Sequence, residues 1–312
     1  MQIISIINYK GGVGKTTVTS NIAAELAYRG ARVLLLDMDA QASLTFSFVT
    51  PDFWSDELEK NKTIKNYFDK ISQSEPTIPL SELVIRPQNV NSFLQNHRRS
   101  GLIDLIPSHL GLINVDLELA TLLGGANMSQ TKSKYIKVHG KLRQDVQQFA
   151  HSNYDIVLID CPPNFNIVTK NALIASNQIL IPAKADYLST LGIDYLHRSV
   201  NQLINEFNEF NKYASLDNNI LETNPRFLGV VFTMIQIYRN APIASQQQFI
   251  SQTQRLQIPI FENYFRENKS IFSGAPENGI PVILNSYSTG THIDVVNEIK
   301  YLVDEFITKS GI

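Results

Sequence analysis

An apolar run, Ile3–Ile7, passes into Tyr9-Lys10-Gly11-Gly12-Val13-Gly14-Lys15-Thr16-Thr17, and a segment of helical periodicity, Thr17–Tyr28, follows. This order of strand, glycine loop and helix restricts the fold more than any other part of the chain. Glycines at 11, 12 and 14 let the backbone turn tightly and leave its N–H groups converging on one point. The positive end of the following helix faces the same point. A cradle of this kind takes phosphate oxygens. Gly11, Gly12, Val13 and Gly14 would supply N–H donors, Lys15 would reach the β- and γ-phosphates of a nucleotide, and the Thr16 hydroxyl would ligate Mg²⁺, with Thr17 beside it. The usual motif has glycine where this chain has Tyr9. Next to Tyr9 stands a second lysine, Lys10, which the motif does not require.

Further short apolar runs occur at Arg32–Asp37, Leu102–Ile106, Ile156–Asp160, Ile179–Pro182, Phe227–Thr233 and Ile258–Phe261. Several are apolar at every position, as strands covered on both faces must be. Helical periodicity separates them, as in Leu110–Leu123 and Leu191–Phe210. The alternation predicts an α/β fold, a doubly wound and mostly parallel sheet flanked by helices. Residues 1–312 read as a single domain, with an elaborated, proline-punctuated region at about 50–100.

On such a sheet ligands bind beyond the carboxyl ends of the strands, where two runs end in acids. Arg32–Asp37 finishes in Asp37-Met38-Asp39, and Ile156–Asp160 finishes in Asp160-Cys161. A magnesium-bound nucleotide needs carboxylates near the metal's water shell, so Asp37 and Asp160 join Thr16 as candidate metal residues. Asp37 and Asp39 fall on opposite faces of an extended chain, which predicts different duties, one for the metal shell and one for the attacking water.

Apolar residues make up 43% of the sequence, charged residues 18%, and the formal net charge is −2, so any attraction to nucleic acid must come from a local patch. One candidate exists. No acidic residue occurs from Leu119 to Gln144, while Lys132, Lys134, Lys137, Lys141 and Arg143 fall in that stretch. Cys161 is the only cysteine, which rules out an intrachain disulfide and suits a reducing compartment. No run of 18 apolar residues and no signal-peptide layout appears, and a cytoplasmic protein is expected.

The motifs KGGVGKTT (10–17), RVLLLDMDAQAS (32–43), YDIVLIDCPPNFNIVTKNAL (154–173) and ILIPAKADYLSTLGIDYL (179–196) resemble the ParA/MinD group of deviant Walker A ATPases, and the ParA partition ATPases most. The likeness extends through LIDLIPSHLGLINVDLELA (102–120), LGVVFTM (228–234) and GAPENGIPV (274–282), most of the chain. It implies an ATP- and Mg²⁺-dependent ATPase that dimerises on ATP, with Lys10 crossing to the partner's phosphates. Lys15 would be the loop lysine, Asp39 would position the water, and Asp160 would support the metal from its second shell. The resemblance also implies that the ATP-bound dimer binds DNA without sequence preference, associates with the nucleoid, and answers to a ParB-like stimulating protein. Adenine recognition in the group uses a Pro-Arg-Asn segment. This chain has Arg266-Glu267-Asn268, making Asn268 the candidate for the base and leaving Lys269 where DNA-binding members often carry arginine. The alternative within the group is a MinD-like membrane-surface or protein-cargo switch. That would need a basic amphipathic tail, and in Val295–Ile312 the acids Glu298, Asp304 and Glu305 outnumber Lys300 and Lys309. Because the sequence begins at the first strand, operator-specific DNA binding through an N-terminal helix-turn-helix is not expected.

Overall fold

The computed structural model describes residues 1–214, 222–239, 241–288 and 290–312. Six strands form one sheet: β1 (Gln2–Ile6), β2 (Arg32–Asp37), β3 (Leu102–Ile106), β4 (Ile156–Asp160), β5 (Gln178–Lys184) and β6 (Arg226–Thr233). Their order is β3-β2-β4-β1-β5-β6 and every pairing is parallel. The period of two along each strand sorts its side chains between two cores. Ile3, Leu34 and Leu36 face a layer containing helices Leu112–Leu122, Met128–Ala150, Ile167–Ala175 and Tyr187–Ala214. Ile4, Ile6, Val33 and Leu35 face the opposite layer, with helices Lys15–Tyr28, Gln88–Asn96 and Gly290–Ser310. This doubly wound arrangement is the one the alternating pattern predicts.

Ile258–Phe261 departs from its expected strand. It makes only an isolated parallel bridge to β6, in which the Val230 N–H donates to Pro259 O at 2.8 Å and the Phe261 N–H donates to Val230 O at 2.9 Å. Pro259 has no N–H to extend the ladder. Opposite it, Gly229 sits at φ 149°, and a Cβ there would stand 2.9 Å from Pro259 O, so a regular ladder is broken on both sides. The stretch from 50 to 100 contributes helices Ile64–Ser72 and Gln88–Asn96 and buries Tyr67 and Phe68 in the first core. It also covers the sheet edge: Ile85 and Leu105 of β3 exchange backbone hydrogen bonds at 2.8 and 2.9 Å.

Among the described residues no helix is long and apolar enough to cross a membrane. The apolar face of Gly290–Ser310, including Val295, Ile299, Leu302, Val303 and Phe306, is spent on the second core and is not offered to a lipid surface.

Helix Met128–Ala150, capped by the Asn127 side chain accepting from the Gln130 N–H at 2.9 Å, buries His139 completely. Its Nδ1 lies 2.9 Å from Tyr135 O, and a carbonyl only accepts, so Nδ1 carries the proton and Nε2 is a buried acceptor without a partner among the described residues. Burial first, and then the nearby charge of Lys170, pull its pKa from 6.5 to about 4 against the Tyr135 hydrogen bond. A depressed value means the neutral ring supports the fold, and that support is lost as pH falls from 6.5 towards 4. The expected slope is up to about 1.4 kcal/mol per pH unit. Thermal melts across that window should therefore fall more steeply for the parent than for His139→Leu; parallel curves would show that the ring does not titrate with unfolding.

Candidate functional site

The phosphate-type loop lies where β1 ends, between its neighbours β4 and β5. Gly12 (φ 67°) and Gly14 (φ 78°) take left-handed backbone conformations that side chains with a Cβ rarely adopt. Gly14 opens helix Lys15–Tyr28 with no side-chain cap, so the first-turn N–H groups remain turned towards the loop. Lys15 is buried on the first turn. Two braces hold the loop. The Lys10 N–H donates to Asn8 Oδ1 at 2.9 Å, while Asn8 Nδ2 donates to Pro182 O of β5 at 2.8 Å. Thr233 Oγ1, at the end of β6, donates to Val13 O at 2.8 Å.

Asp37 and Asp160 are direct partners in the β2–β4 register, and both are buried. Asp160 is the one beside the loop: Thr16 Oγ1 donates to its Oδ2 at 2.7 Å and Thr19 Oγ1 lies 3.3 Å from its Oδ1. Burial raises its pKa to about 6, which the Thr16 hydrogen bond and the Lys15 charge partly oppose. Asp37 has both oxygens engaged. Its Oδ2 accepts from the Thr45 N–H and hydroxyl at 2.8 and 2.7 Å, and its Oδ1 accepts from the Asp39 N–H at 3.2 Å. Burial and then the neighbouring Asp160 push its pKa to about 8. Asp37, expected at the metal, thus organises the turn carrying Asp39, and its hydrogen bonds among the described residues go to Thr45 and Asp39 rather than to Thr16. Asp39 is only half-buried; its Oδ1 accepts from the Gln41 N–H at 3.0 Å, and its carbonyl accepts from the Ser108 hydroxyl at 2.6 Å.

Among the described residues no group of three or more His, Cys, Asp or Glu forms a metal cage. The donors that are present, a hydroxyl and a carboxylate in contact beside an uncapped helix start, fit Mg²⁺. This ion keeps much of its water and takes remaining ligands from phosphate oxygens.

Lys10 Nζ pairs with Asp186 Oδ2 at 2.7 Å, just beyond the end of β5, with side-chain exposures of 34% and 39%. Although desolvation works the other way, hydrogen bonds from Lys10 and Ser189 hold the Asp186 carboxyl below its ordinary value. On the other side of the loop a small cavity of about 150 Å³ is lined by Gly14, Thr17, Met234, Phe265, Asn268 and Phe272. Asn268 caps helix Lys269–Ser273, accepting from the Ile271 N–H at 3.3 Å. Sequence reading placed Asn268 here and missed Thr233, Met234, Phe265 and Phe272. Thr233 ends the apolar run of β6 and Met234 follows it, both within the LGVVFTM motif that could have pointed to them.

The five basic residues of the stretch 119–144 do not all share one face. Arg143, expected on DNA, is buried, with its guanidinium donating to Ile174 O at 3.1 Å and to Thr223 Oγ1 at 3.2 Å. The helix turns that residue inward beside Leu142 and Val146, so it is removed from the candidate DNA surface. Lys141 is paired with Asp145 at 2.6 Å. Lys132 lies 5.1 Å from the Phe210 ring centroid, and Lys134 and Lys137 are exposed.

A glycine loop with an uncapped helix start, a hydroxyl against a strand-end acid, and a second lysine at the mouth define a P-loop NTPase of the deviant Walker A type. A family model described as an AAA domain matches residues 1–212, and the chain belongs to that family, within the ParA/MinD group of ATPases. It is 28% identical over 302 residues to the sporulation initiation inhibitor protein Soj of Bacillus subtilis, covering 96% of this chain and 98% of Soj. To the chromosome-partitioning ATPase Soj of Treponema pallidum it is 26% identical over 281 residues, covering 90% of this chain and 88% of that one. Among solved structures, a Cyanothece McdA variant in complex with ATP superposes with a TM-score of 0.68 at 18% identity, covering 98% of this chain and 96% of that one. A plasmid partition protein of Borrelia burgdorferi bound to AMPPNP gives 0.61 at 21%, covering 99% and 98%. At these identities the structural likeness shows the fold alone.

Proposed function

We propose that this chain is a Mg²⁺-dependent ATPase that positions DNA or another cargo and works as a dimer formed around ATP. The observation that carries the reading is Lys10, a cation at the loop's mouth held on Asp186 rather than turned into its own phosphate cradle. A half-exposed pair of this kind is worth at most about 1 kcal/mol. A charge-assisted bond to a phosphate contributes about 1.5–3 kcal/mol, so the balance favours transfer once a partner subunit presents its nucleotide. Lys10 then offsets the negative charge that grows on the partner's phosphates during transfer, as an arginine finger does.

In this reading the loop N–H groups and Lys15 bind the β- and γ-phosphates, and the cavity at Asn268 takes the base. Thr16 would hold Mg²⁺, and Asp160 would support it through water. Bound there, the ion neutralises charge on the transferring phosphate. Asp39 orients the attacking water, and Asp37 fixes the turn on which Asp39 stands. A positioning role is supported by the relatives: besides the two Soj proteins, the cell division protein PomZ of Myxococcus xanthus is 29% identical over 202 residues. Nonspecific DNA contact by the dimer and a ParB-like stimulating protein belong to the same reading, with the exposed Lys269 as a candidate cation in place of Arg143.

The test is oligomeric state. Light scattering should show a parent that is monomeric without nucleotide and dimeric with ATP, and a Lys10→Ala chain that binds ATP but stays monomeric. A parental dimer of equal strength with and without ATP would overturn the proposal.

A further inference from the structure

A cavity of about 570 Å³ lies between helix Met128–Ala150 and the segment 71–77 of the elaborated region. It shares no lining residue with the small cavity beside the glycine loop. Lys134, Lys137 and Lys141 enter it from successive turns of one helix face, and Ile71, Leu122 and Val138 give it an apolar floor.

The charges there do not balance. The charge of Lys141 is met by Asp145 at 2.6 Å, and Asp145 is itself fixed by the Tyr67 hydroxyl at 2.8 Å and approached by the Thr77 hydroxyl at 3.4 Å. Glu75, on the opposite wall, is met by Lys70 at 2.5 Å. Lys134 donates only to a neutral carbonyl, Gly124 O, at 2.6 Å, and Lys137 makes no hydrogen bond or ion pair among the described residues. Two positive charges therefore remain over an apolar floor in a concave site. A duplex presents its phosphates on a convex surface and would meet only the rim.

We propose that this cavity is a second ligand site, separate from the nucleotide site, for an organic phosphomonoester. A phosphomonoester carries a charge of about −1.5 to −2 at neutral pH, which matches the two uncompensated ammonium groups. Its organic body covers Ile71, Leu122 and Val138. The segment 71–77 lies in the stretch 50–100, outside the strands of the six-stranded sheet.

The probe is phenyl phosphate, titrated calorimetrically into the whole Lys15→Ala chain, in which the glycine loop lacks its cation. No ATPase readout is involved, so the result is independent of the proposed activity. Saturable 1:1 binding is expected, weakened on the order of tenfold or more by Lys137→Gln or Lys134→Gln, each of which removes one charge-assisted bond. Affinity should also fall as pH drops below about 6, where the phosphate takes up its second proton. Inorganic phosphate should bind more weakly than phenyl phosphate, since it leaves the floor bare; equal affinity would reduce the site to a surface charge effect and overturn the proposal. Absent saturation, or undiminished binding in Lys137→Gln, would also overturn it. So would displacement of phenyl phosphate by a DNA duplex of unrelated sequence, which would reassign these lysines to nucleic acid.

Discussion

Lys15→Ala is expected to cut ATP affinity by orders of magnitude. The residue is buried on the first turn of the helix that opens at Gly14, and in the proposed complex its ammonium meets both the β- and γ-phosphates. Losing two charge-assisted bonds of about 1.5–3 kcal/mol each removes about 3–6 kcal/mol. That is a rise in Kd of roughly two to four orders of magnitude. The N–H groups of the loop stay in place, so residual binding is expected to be weak rather than zero. Calorimetric titration with a nonhydrolysable ATP analogue measures the effect directly, and an affinity near the parental value would remove the loop from the site.

The second large effect concerns Asp39. Asp39→Ala should keep ATP affinity within a few-fold of the parent while turnover drops by about 10²–10⁴, the usual contribution of a positioned acid–base group. The substitution is clean for a structural reason. The turn at Asp39 is held mainly by its backbone, through its N–H to Asp37 and its carbonyl from the Ser108 hydroxyl; alanine keeps both bonds and loses only the exposed one from the Gln41 N–H to Oδ1. A chain stalled in this way should accumulate as the ATP-bound dimer. Phosphate release at the parental rate would assign the water to another residue.

Much of this site was legible because its parts are local. The glycine loop and the first helix occupy consecutive positions, and Asp37, Asp39 and Asp160 each follow an apolar run that can only be a strand. What was not legible depends on contacts between distant segments. Thr233 reaches the loop 220 positions away by donating to a main-chain oxygen, and such a bond leaves no residue-type signature on its acceptor. The small cavity beside the loop draws on Met234, Phe265 and Phe272, which read as ordinary core residues until the chain closes. The five basic residues do not all share one face, for a different reason. Counting charges along the sequence ignored the 3.6-residue turn that rotates Arg143 inward, and it stopped one residue short of Asp145, the partner of Lys141. The edge segment Ile258–Phe261 looked like a strand by apolarity alone, although Pro259 already signalled that its ladder could not be completed.

The hydrogen bond from Thr233 to Val13 O has a thermodynamic consequence. It ties β6 to the glycine loop, and the residue after it, Met234, lines the small cavity beside the loop. The loop's order is thus set when the chain folds, and little conformational entropy is left to be lost when a phosphate arrives. In the proposed complex, binding to a cradle already in shape would draw its free energy from the charges themselves, and the choice among nucleotides would fall to the small cavity beyond Thr233.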